Sequence, residues 1–130
     1  DISKVIIGKN DQWKTDINIG KKNNQNFVSI PYAQIINVLT YKLKLVGIEV
    51  ILQEESYTSK CSAYDKEPIK KHKVYKGLRI KRGLFKTTDG KLINADINGA
   101  SNILLKALPE AYANGIEGIV VYPVKLNPKI

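Results

Sequence analysis

The chain has 130 residues, 43% hydrophobic and 25% charged, which suits one domain with a modest core. Its 21 Lys and Arg outweigh 12 acidic residues, a net charge of +9 that favours nucleic acid or anionic surfaces as partners. A single cysteine, Cys61, excludes an internal disulfide, and no apolar run approaches the roughly 20 residues that span a bilayer, so a membrane protein is not expected.

Nothing resembles a signal peptide, and the expected setting is soluble and intracellular. With Asp1 first and no methionine anywhere, the chain reads as a piece of a longer protein. Val5, Ile6 and Ile7 form a short apolar run ended by Gly8, which predicts a buried strand. Residues 15–19 alternate polar and apolar and predict a half-exposed strand, followed by a polar loop over 21–26. Pro31 near a first helical position, apolar residues at Tyr32, Ile35, Ile36, Leu39, Leu43 and Val46, and Gly47 at the exit predict a helix. Residues 48–52 are a further apolar strand. Strand, helix, strand implies a right-handed crossover with parallel pairing, and parallel sheets bind ligands outside the carboxyl ends of their strands, where Glu54 and Glu55 emerge.

Residues 64–93 are irregular and basic, with Asp89-Gly90 predicting a hairpin turn between Leu84-Phe85 and Leu92-Ile93. Lys66, Lys70, Lys71, Lys73, Lys76, Arg79, Lys81, Arg82, Lys86 and Lys91 crowd here, with Tyr64, His72, Tyr75 and Phe85 among them. Basic residues with interleaved aromatics track phosphates and stack on bases; a solvated, lysine-rich hairpin is the alternative. Ile97, Ala100, Ile103, Leu104, Ala107 and Leu108 fall on one face of a last helix that ends near Pro109. Ile116, Ile119, Val120 and Val121 then suggest a short strand before a trailing extension. With no internal repeat and no second core, the basic segment reads as an insertion between the sheet and the final helix.

Asp96 stands on the first turn of that helix, where unpaired backbone N–H groups favour an ionised carboxylate. It can cap the helix, or it can face outward and hold a divalent cation.

The run Gln53-Glu54-Glu55-Ser56-Tyr57-Thr58-Ser59-Lys60-Cys61-Ser62, followed by Leu92-Ile93-Asn94-Ala95-Asp96-Ile97-Asn98-Gly99-Ala100-Ser101-Asn102-Ile103, closely resembles the C-terminal part of the TnpB (OrfB) proteins of bacterial insertion sequences. Residues 5–10, Trp13-Lys14 and residues 18–27 resemble one branch of the same family, so the likeness covers nearly the whole chain. It implies an RNA-guided DNA endonuclease in the prokaryotic cytoplasm, related to the type V CRISPR nucleases. Its partners would be DNA and, through the resemblance only, a guide RNA.

The implied fold is α/β: a partial RNase H-like (RuvC-like) domain with an inserted, metal-free, degenerate zinc-ribbon-like basic hairpin. Residues 1–60 would be the strand-helix-strand part, 61–93 the ribbon, and 94–130 the final helix and tail. In such a domain three carboxylates hold two Mg²⁺ ions that activate a water and stabilise the leaving oxygen of a phosphodiester. Asp96 matches the family's third acid, and the first lies upstream of anything present here. Most members carry a glutamate where Gly8 stands. Glu55 is the candidate for its role and Glu54 the second candidate, since neighbouring strands are only about 4.8 Å apart. The expected Mg²⁺ ligands are therefore Asp96 and Glu55, and alternation along the strand lets only one of the two glutamates serve.

Many relatives carry two Cys-x-x-Cys pairs in the ribbon, whereas this chain offers Cys61 and His72 alone, too few for a closed tetrahedral zinc site. No zinc is expected. Cys61 is expected to be a partly buried small residue, and His72 a surface base or phosphate contact. The candidate nucleic-acid contacts are Lys60, Lys70, Lys71, Lys73, Arg79, Lys81 and Arg82. A non-catalytic nucleic-acid-binding module, the remnant of a decayed element, is the competing reading. On either one, this chain by itself should not cut DNA.

Overall fold

In a computed structural model of the chain, residues 1–10 and 32–115 are described; the expected strand at 15–19, the loop at 21–26 and the tail beyond 115 lie outside them. The architecture is mixed α/β with two small sheets, in two compact units divided after Glu54.

In the first unit, β1 (Lys4–Lys9) and β2 (Glu49–Glu54) pair in parallel, with α1 (Tyr32–Leu45) between them in sequence. Two expectations shift at the edges. Gly8 does not end β1 but pairs with Gln53 inside it, and β2 runs on to Glu54, which pairs with Lys9. A lone glycine weakens a strand without breaking it when the ladder continues on both sides. The exit from α1 is as the sequence predicts: Gly47 takes φ +77°, its N–H donates to the Lys44 carbonyl, and the Ile48 N–H donates to the Leu43 carbonyl at 2.9 Å. No residue of α1 is buried, and Val38, Tyr41, Leu45 and Val46 are more than half exposed.

The second unit is built on a three-stranded antiparallel sheet of β3 (Leu78–Lys81), β4 (Leu84–Lys86) and β5 (Leu92–Asn94), in that order. The register of β3 on β4 shifts between Arg79 and Lys81, and Gly83 at φ +77° turns the chain between those strands. The β4–β5 connection is the expected Asp89-Gly90 turn. Gly90 has φ +86°, the Thr87 N–H donates to the Lys91 carbonyl at 2.9 Å, and the Thr87 hydroxyl bonds the Asp89 carboxylate. Helix α2 (Ala95–Ala107) follows β5 directly, and its Ala95 N–H donates to Gly83 O.

The core under this sheet is small: Phe85, Ile93 and Ala95, with Tyr64 packed against them. Gly77 belongs to it for want of a side chain, since a Cβ there would meet the Phe85 ring at 2.3 Å. Among the described residues, no helix is long and apolar enough to cross a membrane.

Candidate functional site

Helix α2 carries Asp96, and its start fixes what that carboxylate is free to do. Asn94 is the N-cap, extended at φ −67° and ψ 130°, and its side-chain oxygen accepts from the N–H groups of Asp96 and Ile97 at 2.9 and 3.0 Å. The capping role considered for Asp96 therefore belongs to Asn94. Asp96 is exposed, and among the described residues no hydrogen bond or ion pair engages its carboxylate.

The two faces of α2 are inverted from what its apolar periodicity suggests. Ala95, Asn98, Ser101 and Asn102 are the buried residues. Ile97, Ile103 and Leu104 are only partly covered, and Ala100 is exposed. At about 100° per residue, Asp96 stands about 160° round the helix from Asn98 and about 120° from Asn102, at the head of the partly covered apolar face.

The buried polar face grips the loop that follows β2. The Asn98 oxygen accepts from the Ala63 N–H at 2.9 Å while its amide donates to Cys61 O at 2.9 Å. The Asn102 amide donates to both Thr58 O and Cys61 O, at 2.9 and 2.7 Å. Lys106 Nζ donates to the carbonyl and hydroxyl oxygens of Ser56 at 3.1 and 3.2 Å. The loop thus runs antiparallel to the helix, and its own start is pinned where Thr58 donates to Glu55 O, from its hydroxyl at 2.6 Å and from its N–H at 3.2 Å.

This register separates two of the expected ligands. Asn102 and Lys106, which hold the Glu55 end of the loop, lie roughly 9 and 15 Å along the axis from Asp96 at about 1.5 Å per residue. Glu55, partly buried, adjoins Ser56 at the Lys106 end of that register, and among the described residues no three His, Cys, Asp or Glu side chains are grouped to hold a metal ion. Glu54 ends β2 on the register position of Lys9; the position beside Gly8 is taken by Gln53.

Within the ribbon segment the structure corrects the picture of two leftover ligands. Cys61 is fully buried, its thiol within 3.5 Å of Pro68 O and Lys70 O, and burial pushes its pKa up. His72 does not stand free at the surface, for Nε2 lies 2.7 Å from Pro68 O and 3.9 Å from Glu67 Oε1. Glu67, only 5% exposed, accepts from Ser62 N–H at 2.8 Å and from Lys76 N–H at 2.9 Å. Asp65 Oδ2 accepts from the Ser62 hydroxyl at 2.6 Å and from Thr88 N–H at 3.1 Å, and Lys91 Nζ sits 4.6 Å over the Tyr64 ring. Carboxylates thus tie the first loop to the hairpin that follows.

Sequence reading did not single out Glu67, Asp65, Asn98, Asn102 or Lys106 for these roles. Only the i, i+4, i+8 spacing of the last three, which places them on one side of a helix, could have hinted at it. The seven expected nucleic-acid contacts, Lys60, Lys70, Lys71, Lys73, Arg79, Lys81 and Arg82, are all exposed. Arg79 and Lys81 lie on edge strand β3, where Leu78 and Ile80 are also exposed.

Two comparisons bear on what this arrangement belongs to. Over 126 residues, 95% of the chain, it is 29% identical to a TnpB-like protein, ORF457, of Acidianus two-tailed virus, and it spans only 22% of that relative's length. A family model described as Cas12f1-like, TNB domain matches residues 32–103, more than half of the chain and inclusive of β2, the carboxylate-tied ribbon and most of α2. The chain therefore belongs to the Cas12f1-like, TNB domain family and, with it, to the TnpB proteins.

Proposed function

We propose that the chain is the C-terminal portion of a TnpB-like, RNA-guided DNA endonuclease, with an RNase H-like (RuvC-like) core to which Asp96 contributes a metal-binding carboxylate. The observation that carries this reading is the state of Asp96. Asn94 does the capping, so Asp96 keeps both oxygens free at the head of an apolar helix face that the described residues cover only in part. A hard oxygen donor on a helix N-terminus suits Mg²⁺, which favours one or two carboxylates together with substrate phosphate. When bound, a Mg²⁺ pair activates the attacking water and stabilises the leaving oxygen. The likeness to the family favours Glu55 as the second acid, with Glu54 the second candidate, and the remaining acid of the set is not assigned to any residue of this chain.

The ribbon's share is to hold nucleic acid. Lys60, Lys70, Lys71, Lys73, Arg79, Lys81 and Arg82 present ammonium and guanidinium groups to phosphates, and the ribbon keeps its shape without zinc because Glu67 and Asp65 supply the cross-links. A guide RNA is a partner through the family alone. The competing reading, a nucleic-acid-binding module without catalysis, draws on one observation: the loop holds Glu55 well along the helix from Asp96.

The test is Asp96→Ala in the whole protein with its guide RNA. Mg²⁺-dependent cleavage of a matched DNA duplex should vanish while target binding stays within about twofold, because the Asp96 carboxylate takes no part in the cap or the loop, and its backbone N–H, which Asn94 caps, is kept in alanine. Cleavage at the wild-type rate would remove Asp96 from the site. Glu54→Gln and Glu55→Gln, made separately, assign the second acid. Binding by the 130-residue chain should weaken steeply with salt, by about 0.9 in log affinity per tenfold salt for each phosphate neutralised on duplex.

A further inference from the structure

We propose that Asn98, Asn102 and Lys106 are positioning residues for the nuclease reaction, setting the rotation of α2 and so the bearing of the Asp96 carboxylate. The proposal rests on the reading of Asp96 given above. A helix whose apolar face packs loosely can roll, and rolling by one residue swings every side chain by about 100°. What resists rolling here is a row of polar groups reading main chain: Asn98 on Ala63 N–H and Cys61 O, Asn102 on Thr58 O and Cys61 O, Lys106 on Ser56. Asn98 and Asn102 are 1% and 0% exposed, so the asparagine bonds are made in a site closed to water and cannot be replaced by it, whereas the Lys106 bonds to Ser56 are exposed.

Both Asn102 amide hydrogens are spent on carbonyls of the loop, while its own oxygen has no partner. A buried acceptor left unpaired is a cost. Its retention is understandable if the amide's two donations outweigh it, because Thr58 O and Cys61 O need a donor at that point and each falls within its reach. The loop side is equally prepared. Tyr57 is held at φ 65°, a conformation costly for a non-glycine residue, and that bend lets its carbonyl accept from Lys60 N–H and Cys61 N–H. The grip is therefore between two rigid parts, one of which carries Asp96 on its far side.

The experiment uses the whole protein with its guide RNA and measures cleavage of a matched duplex against Mg²⁺ concentration, alongside target binding in Ca²⁺ or EDTA. Asn102→Ala and Lys106→Met should slow cleavage about 10- to 100-fold and raise the Mg²⁺ midpoint, since groups that orient a metal ligand are worth that much. Target binding should stay within about twofold, and Lys106→Arg, which still donates, should recover most of the rate. Wild-type rates and midpoints in Asn102→Ala and Lys106→Met would overturn the proposal, as would equal losses of binding and cleavage, which mean unfolding. If the wild-type protein cleaves no better than Asp96→Ala, the nuclease reading fails and the positioning role falls with it; normal wild-type cleavage with unaffected variants sinks the positioning role alone.

Discussion

Glu67→Gln is the substitution that tests most directly how the ribbon is held. Glu67 is 5% exposed, and its carboxylate accepts from two backbone N–H groups fourteen positions apart on the chain, Ser62 at 2.8 Å and Lys76 at 2.9 Å. A hydrogen bond to a charged group contributes about 1.5–3 kcal/mol when its partner is buried. Glutamine keeps one acceptor oxygen and turns an NH₂ toward the other backbone N–H, so one bond is lost and two donors are left facing each other. The expected local cost is about 2–3 kcal/mol, which at about 1.4 kcal/mol per tenfold is a roughly 30- to 150-fold faster opening. Amide hydrogen exchange on the 130-residue chain reads this residue by residue: Ser62 or Lys76 should exchange at least about 30-fold faster, while the N–H groups within α1 keep their rates. If the ribbon is held without zinc, as proposed, chelator should leave the wild-type rates unchanged. Unchanged exchange at both Ser62 and Lys76 in Glu67→Gln, or acceleration of the wild type by chelator, would refute this account.

Three further outcomes are expected. Gly77→Ala places a Cβ 2.3–2.4 Å from the buried Phe85 ring and 3.0 Å from Lys86 O, an overpacking that should cost about 1–3 kcal/mol and appear as a lowered melting temperature. Cys61, fully buried and with its pKa raised by desolvation, should react with a thiol reagent at pH 8 only as fast as the ribbon opens, and denaturant should release it; prompt labelling of the folded chain would contradict its burial. The Thr87 hydroxyl, followed by the Lys91 N–H, lowers the Asp89 pKa, so Asp89 favours folding above the ordinary carboxylate value of about 3.9 and loses that effect as pH falls through its folded value. Asp89→Asn should therefore differ from wild type in melting temperature at pH 6, and the difference should close below pH 4.

How much of this was legible in the sequence differs from element to element for physical reasons. Helix α1 announced itself because its exit obeys a backbone rule: Gly47 takes the positive φ that other residues resist. The Asp89-Gly90 turn was legible on the same ground. The extent of β1 was not, since a glycine reads as a stop whereas the ladder to β2 carries on through Gly8 to Lys9. Nor was β3: Leu78, Arg79, Ile80 and Lys81 alternate properly but are all exposed, and the charge of the segment masks the alternation.

The site divides in the same way. Asp96 was legible because its neighbours form a family motif, and the structure adds that Asn94 spares it from capping. Asn98 and Asn102 lie in that same motif, yet their work stayed hidden, because apolar periodicity names a helix without naming the face that is covered. In α2 the covered face is the polar one, for it meets a loop whose carbonyls need donors, and burying leucines against those carbonyls would leave them unpaired. Among the described residues the apolar face is covered only in part. The inversion of α2 thus joins two facts that looked separate, a polar interior and an exposed acid, into one arrangement: a helix gripped from one side by its asparagines carries Asp96 on the other.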